Sequence, residues 1–190
     1  ESIIFIRKSL MKRTQVLLFS ASISNKTIKQ ANTITYNPVI YELSKENKEL
    51  IPKTIKHIFI ISDRRERIET LRKIAKAVNS DKTMIFINTK YDLEESLQKL
   101  QYHNYNVAAW AGNIDKQSKK KAVEDFQNGR LQYLLATDVA ARGLQIDHVS
   151  TVINVNLPEE PTEYLHRVGR CGRNNEQGLC ISIITGNDLN

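Results

Sequence analysis

A chain of 190 residues, 41% hydrophobic and 26% charged, is about one ordinary folded domain plus a remainder, at roughly 100–200 residues per domain. Two cysteines exclude a disulfide framework and a four-cysteine zinc site, and no apolar run approaches the roughly 20 residues of a membrane helix. The net charge of +7 suggests an acidic partner such as nucleic acid, but residues 1–95 carry 18 Lys and Arg against 11 Asp and Glu, and residues 96–190 carry 10 against 10. An anion site in the second half must therefore come from a few placed arginines. The opening ESIIFIRKSLMKR lacks the small-residue cleavage site of a signal peptide, so a reducing, cytoplasmic setting is expected.

In chain order, residues 13–22 (RTQVLLFSAS) read as one strand ending in a small polar loop. Residues 23–34 read as a helix and 37–43 as another extended piece. One strand and one helix cannot enclose a core. Residues 1–45 must therefore lean on another domain, or pack on another molecule by strand exchange, which for this chain alone would give a dimer. The charged stretch that follows, with Pro52, reads as a linker over 46–53.

From residue 54 to 190 the pattern alternates. Short β-branched runs at 55–62, 83–89, 105–111, 132–137, 150–156 and 178–185 predict strands buried on both faces, as in a parallel sheet. Between them, Asp63 is placed to cap a helix with Ile68, Leu71, Ile74, Ala75 and Val78 on one face. Leu93, Leu97 and Leu100 mark a second helix. Asp115 is placed to cap a third, with Ala122, Val123 and Phe126 inward, Lys119 to Lys121 outward and Gly129 at its end. Pro161 suits the first turn of a fourth. Strand–helix alternation with short connections predicts a doubly wound α/β domain of about six strands.

Two stretches could carry chemistry. His166-Arg167-Val168-Gly169-Arg170-Cys171-Gly172-Arg173 holds three arginines and a histidine in eight residues, with glycines between. Arg170 and Arg173 are three apart, so on a helix they share a face, and arginine forms bidentate, charge-assisted bonds to phosphate oxygens. The run Ala136-Thr137-Asp138-Val139-Ala140-Ala141-Arg142-Gly143-Leu144 follows a strand at its carboxyl end, where open α/β sheets place ligands. Thr137 can donate to a phosphate, and Asp138 can cap the next helix. Cys171 and Cys180 read as reduced packing residues, Trp110 and Tyr105 as packing groups, and no metal site is expected.

The ordered set SAS, IFINT, TDVAARGL and HRVGRCGR resembles the C-terminal half of a DEAD-box RNA helicase. The resemblance implies a RecA-like three-layer fold for 54–190 and the end of a first such domain for 1–45. It implies an ATP-dependent RNA helicase whose ATP and Mg²⁺ are held mainly by that first domain, since neither a G-x-x-x-x-G-K-[ST] nor a DEAD sequence occurs here. Arg170 and Arg173 are implied as arginine fingers, and His166 as a bond across the domain interface. Arg142, Gly143, Gln145 and Arg167 are implied around the nucleotide. Thr89, Gly112, Gln117, Lys120 and Thr137 are implied along the RNA backbone, with Phe86 in the same motif as Thr89. Ser20, Ala21 and Ser22 are implied to couple hydrolysis to strand separation. The chain departs from the family pattern at Gln145, where an aspartate is usual, at Lys120, where an arginine is usual, and at Ser22, where a threonine is usual. Ala111-Gly112 keeps only part of a common small-residue pair. Gln145 favours an alternative: an RNA-binding or adaptor module with weakened catalysis. A DNA-directed or protein-remodelling helicase of the same superfamily is a further reading.

Overall fold

A computed structural model of the chain describes residues 2–9, 14–19, 25–41, 51–112, 114–142, 144, 146, 148–172 and 176–189. It divides into two compact units, Glu1–Lys48 and Glu49–Asn190.

The first unit contains helices α1 (Ser2–Ser9) and α2 (Asn25–Ile34), joined by a bond from Arg7 Nε to the Ile34 carbonyl at 2.9 Å. The strand expected over 13–22 does not form in its described part. Residues 14–19 are irregular, with Leu17, Leu18 and Phe19 exposed. A strand needs a neighbouring backbone to receive its hydrogen bonds, and among the described residues this unit offers none. The extended piece at 37–41 is likewise unpaired and exposed.

The second unit is a RecA-like α/β sandwich. Strand β1 (Ile55–Ile61) leads through a short 3-10 turn into α3 (Arg67–Val78). Then follow β2 (Thr83–Phe86), α4 (Lys90–Tyr102), β3 (Val107–Trp110), α5 (Lys116–Gln127), β4 (Tyr133–Ala136) and α6 (Asp138–Ala141). The last elements are β5 (Thr151–Asn154), α7 (Pro161–Val168) and β6 (Gly178–Ile184). All six strands run parallel, in the order β1-β6-β5-β2-β4-β3.

The apolar runs are explained by two cores. Ile85, Val107, Ala109, Leu135, Ile153 and Ile181 face α3 and α4, where Leu71, Ile74, Leu93 and Leu100 are buried. Their strand neighbours Met84, Phe86, Leu134, Ala136, Val152 and Cys180 face the other way, toward Ala122 and Phe126 of α5 and Val168 of α7. Each large side chain so buried contributes about 1.5–3 kcal/mol.

Helix starts follow local chemistry. Asp115 caps α5, accepting from the backbone N–H groups of Gln117 and Ser118 at 3.0 and 2.9 Å, and the Ser118 hydroxyl first, with these backbone bonds, holds its carboxyl below the usual range. Asp63 does not cap with its side chain. The chain turns there through a 3-10 segment, and the Asp63 backbone carbonyl takes the Glu66 N–H at 3.0 Å instead.

Candidate functional site

Because every strand is parallel, the connections after β2, β3, β4 and β5 all leave from one edge of the sheet. The strand ends form a row on that edge: Trp110 opposite Ala136, Ala136 opposite Phe86, Phe86 opposite Asn154, and Asn154 opposite Ser182. The bond from Trp110 Nε1 to the Ala140 carbonyl, 2.6 Å, fixes α6 above this row.

Helix α7, whose Tyr164 hydroxyl lies 2.8 Å from His57 of β1 and 3.7 Å from Cys180 of β6, delivers the arginine stretch. The Arg167 side chain is buried and reaches down to the row, where its guanidinium lies 5.2 Å from the Phe86 ring centroid. It binds both oxygens of Asp138, from Nε at 2.7 Å and Nη2 at 2.5 Å. It also donates to Asn88 Oδ1 at 2.7 Å, the Asn156 carbonyl at 2.7 Å and Asn154 Oδ1 at 3.3 Å. Burying a guanidinium is costly unless it is paired and hydrogen-bonded, and this one is both. Arg167, implied around the nucleotide, lines the cleft described below and commits its guanidinium to these residues. Asp138 was expected to cap α6, but its carboxylate is committed to Arg167. The cap is Thr137, whose Oγ1 accepts from the Ala140 N–H at 3.4 Å.

Above this network opens a cleft of about 230 Å³ lined by Phe86, Ala141, Arg142, Glu163, His166 and Arg170, with Asp138 and Arg167 at its base. Three of the expected ligand-facing residues, Arg142, His166 and Arg170, thus meet in one place. Arg170 donates to the Leu144 carbonyl, and Arg142 pairs with Glu163 at 3.0 Å. Among the described lining residues, the guanidinium groups of Arg142, Arg167 and Arg170 stand beside two carboxylates, Glu163 and Asp138, paired with Arg142 and Arg167. Such a surface favours an anion. Phe86, expected near RNA, is buried beneath the Arg167 guanidinium.

The glycines of the arginine stretch have local work. Gly172 sits at φ +65°, and a Cβ there would meet Ile55 Cγ1 at 2.5 Å, so this residue turns the chain under β1. Cys171 and Cys180 are both buried and free, and burial pushes the Cys171 thiol up to about 12.

The residues expected along RNA stand on the same edge, after β2, β3 and β4. Thr89 is exposed and caps α4, its Oγ1 accepting from the Asp92 N–H at 3.1 Å. Gly112, Gln117 and Lys120 are exposed, and Lys120 lies 3.7 Å from Glu124. A Cβ on Gly112 would meet nothing within 4 Å. Lys119, read as outward, folds back instead: its Nζ lies 3.4 Å from the Gly112 carbonyl and 5.9 Å from the Trp110 ring. Of the remaining expected residues, Arg173, Gly143, Gln145, Ser20, Ala21 and Ser22 lie outside the described residues.

Asn88, Asn154 and Asn156 were missed in the sequence. An asparagine at a strand end usually signals a turn. Only the spacing of Asn88 directly before Thr89, and of two asparagines around Val155, hints that something polar is buried there.

Comparison with known proteins shows the family of the chain. Residues 66–175 match the model of the helicase conserved C-terminal domain. The chain is 33% identical over 179 residues to the DEAD-box ATP-dependent RNA helicase CshC of Bacillus cereus, covering 94% of this chain and 45% of that protein. It is 32% identical to a probable eukaryotic initiation factor 4A of Trypanosoma cruzi, covering 100% of this chain and 46% of that one. Among solved structures, S. cerevisiae Dbp5 bound to RNA and ADP BeF3 matches 96% of this chain with a TM-score of 0.84 and 28% identity, over 48% of its own length. The chain spans about half the length of each.

Proposed function

This chain belongs to the family of helicase conserved C-terminal domains, in its DEAD-box branch, and on that premise we propose that it is the second RecA-like half of an ATP-dependent RNA helicase. It binds the RNA backbone along Thr89, Gly112, Gln117, Lys120 and Thr137. It supplies Arg170, with Arg173, to the γ-phosphate of ATP held with Mg²⁺ by a first RecA-like domain. His166 bonds across to that domain, and Ser20 to Ser22 belong to its end.

The observation that carries this reading is the convergence of Arg142, His166 and Arg170 on one open cleft of about 230 Å³. In this reading the cleft is one wall of a site. The arginines neutralise charge that develops on the transferring phosphoryl group, while a second wall cradles the remaining phosphates. Contacts to phosphates and 2′-hydroxyls give affinity with little sequence choice.

The test is ATP hydrolysis with and without RNA. We expect no turnover from the purified 190-residue chain, and RNA-stimulated turnover when it is joined to a first domain with intact phosphate-binding and DEAD motifs. Turnover by the chain alone would overturn the reading. Gln145 favours the adaptor alternative. Restoring aspartate there in the joined protein raises ATP affinity if the site is weakened but active, and changes nothing in an adaptor.

A further inference from the structure

Four lysines stand on α5: Lys116, Lys119, Lys120 and Lys121. Lys116, Lys120 and Lys121 are exposed, whereas Lys119 is half-buried. Side chains on a helix tilt toward its N-terminus, so a lysine in the first turn can reach back over the loop that enters the helix. Lys119 does so. Its Nζ lies 3.4 Å from the Gly112 carbonyl and 5.9 Å from the centre of the Trp110 ring. The ring is a fixed platform, since its Nε1 is tied to the Ala140 carbonyl at 2.6 Å. An ammonium carries three donors, and the Gly112 carbonyl takes one. Among the described residues no carboxylate lies within ion-pair distance of Lys119, whereas Lys120 lies 3.7 Å from Glu124. The space beside Gly112 is open, since a Cβ there would meet nothing within 4 Å. An ammonium with its charge unspent thus stands in a set position beside an accessible backbone turn.

We propose that Lys119 is a phosphate-binding residue of the RNA edge, held at the Gly112 turn by the Trp110 ring. The proposal rests on the reading of Gly112, Gln117 and Lys120 as RNA contacts, and adds a cation that the family pattern does not mark. The ring attracts the ammonium through its quadrupole and brings no formal negative charge, so the charge remains for a phosphate. An exposed lysine must give up rotamer freedom to hold a ligand, and Lys119 has already given it up. Pre-ordering makes this half-buried lysine a stronger phosphate ligand than its exposed neighbours on the same helix.

Trp110 is the one tryptophan of the chain, so its emission reports on Lys119 directly. The test compares wild type, Lys119→Met, Lys119→Arg and Lys121→Met in the 190-residue chain. Methionine keeps most of the stem and removes the charge. Affinity for a labelled ten-nucleotide oligouridylate is measured by anisotropy at several salt concentrations, and Trp110 emission is followed with the unlabelled oligomer. Lys119→Met should weaken binding about 3–10-fold and make the salt dependence shallower by about one counterion. Lys119→Arg and the control Lys121→Met should stay within about two-fold of wild type. RNA should change the Trp110 emission in wild type and leave it unchanged in Lys119→Met. Wild-type affinity and salt dependence in Lys119→Met would overturn the proposal, even with a lowered thermal midpoint, because the lysine would then only brace the turn. An equal loss in Lys121→Met would overturn it too, as would an emission change that persists in Lys119→Met, where RNA acts on the ring without the ammonium. If wild type itself binds no oligouridylate, the RNA-binding reading fails and the proposal falls with it. If wild type binds and Lys119→Met matches it, the proposal alone fails.

Discussion

Around α7 the sheet edge is buried and ionic, with Arg167 fully inside and bonded to three asparagines and an aspartate. Around β2, β3 and β4 the same edge is open, and Thr89, Gly112, Gln117 and Lys120 all stand exposed on helix starts and turns. On the proposed function, the difference matches the chemistry each side would meet. Charge developing on one phosphoryl group is stabilised by groups fixed in advance in a shielded place. An RNA backbone repeats the same phosphate and hydroxyl at every step, so exposed donors suffice. Two threonines stand between the two sides: Thr89, exposed, and Thr137, half-buried, each cap a helix with the hydroxyl oxygen, which leaves the O–H as a donor.

The contrast can be broken most severely on the ionic side. In a protein joined to its first domain, Arg170→Ala should lower ATP turnover by about 10³–10⁵, the range of arginine fingers in other phosphoryl-transfer systems. Steady-state hydrolysis at saturating RNA reads this directly.

A second effect concerns the buried thiols beneath that side. The Cys171 thiol is raised by burial to about 12, and Cys180 is raised by the same cause. In the unfolded chain both ionise near 9, so between about 9 and 12 the folded state alone keeps the Cys171 proton. Its stabilising contribution is complete below the unfolded value and is lost as pH rises through the folded one, by at most about 1.4 kcal/mol per pH unit for one thiol. Urea midpoints should fall from pH 8 to pH 10.5, and less steeply in Cys171→Ser. Iodoacetamide should modify neither cysteine at pH 7.5 until urea is added.

On the open side the effects are smaller. Gly112→Ala meets no protein atom, so its thermal midpoint should match or slightly exceed that of wild type. RNA affinity should nevertheless drop about 3–10-fold, close to 1 kcal/mol, if a strand passes against this backbone. Fluorescence anisotropy with labelled oligouridylate measures it.

The sequence announced the fold well because buried parallel strands leave continuous apolar runs. All six runs became strands, and Asp115 caps its helix as its position suggests. The failures have specific causes. The 13–22 run has the composition of a strand, but 14–19 pairs with nothing among the described residues. Asp138 looked like a cap because it opens a helix, and nothing local says that Arg167, 29 residues later, takes its carboxylate. The arginine stretch was visible as a cluster, whereas the division between one inward and one cleft-lining arginine is set by the helix face each occupies on α7 and just beyond it. Residue type named the chemistry of the site, and packing decided which side chain performs it.

The two regions can be separated in a single paired measurement: turnover and half-saturating RNA concentration, in the joined two-domain protein, for Arg170→Ala and Lys120→Ala. We expect Arg170→Ala to abolish turnover with the RNA concentration little changed. Lys120→Ala should raise that concentration a few-fold, with a shallower salt dependence by about one counterion. If both variants instead lose the same quantity, or Arg170→Ala hydrolyses ATP at the wild-type rate, the edge is not divided into a phosphate-stabilising side and an RNA-reading side.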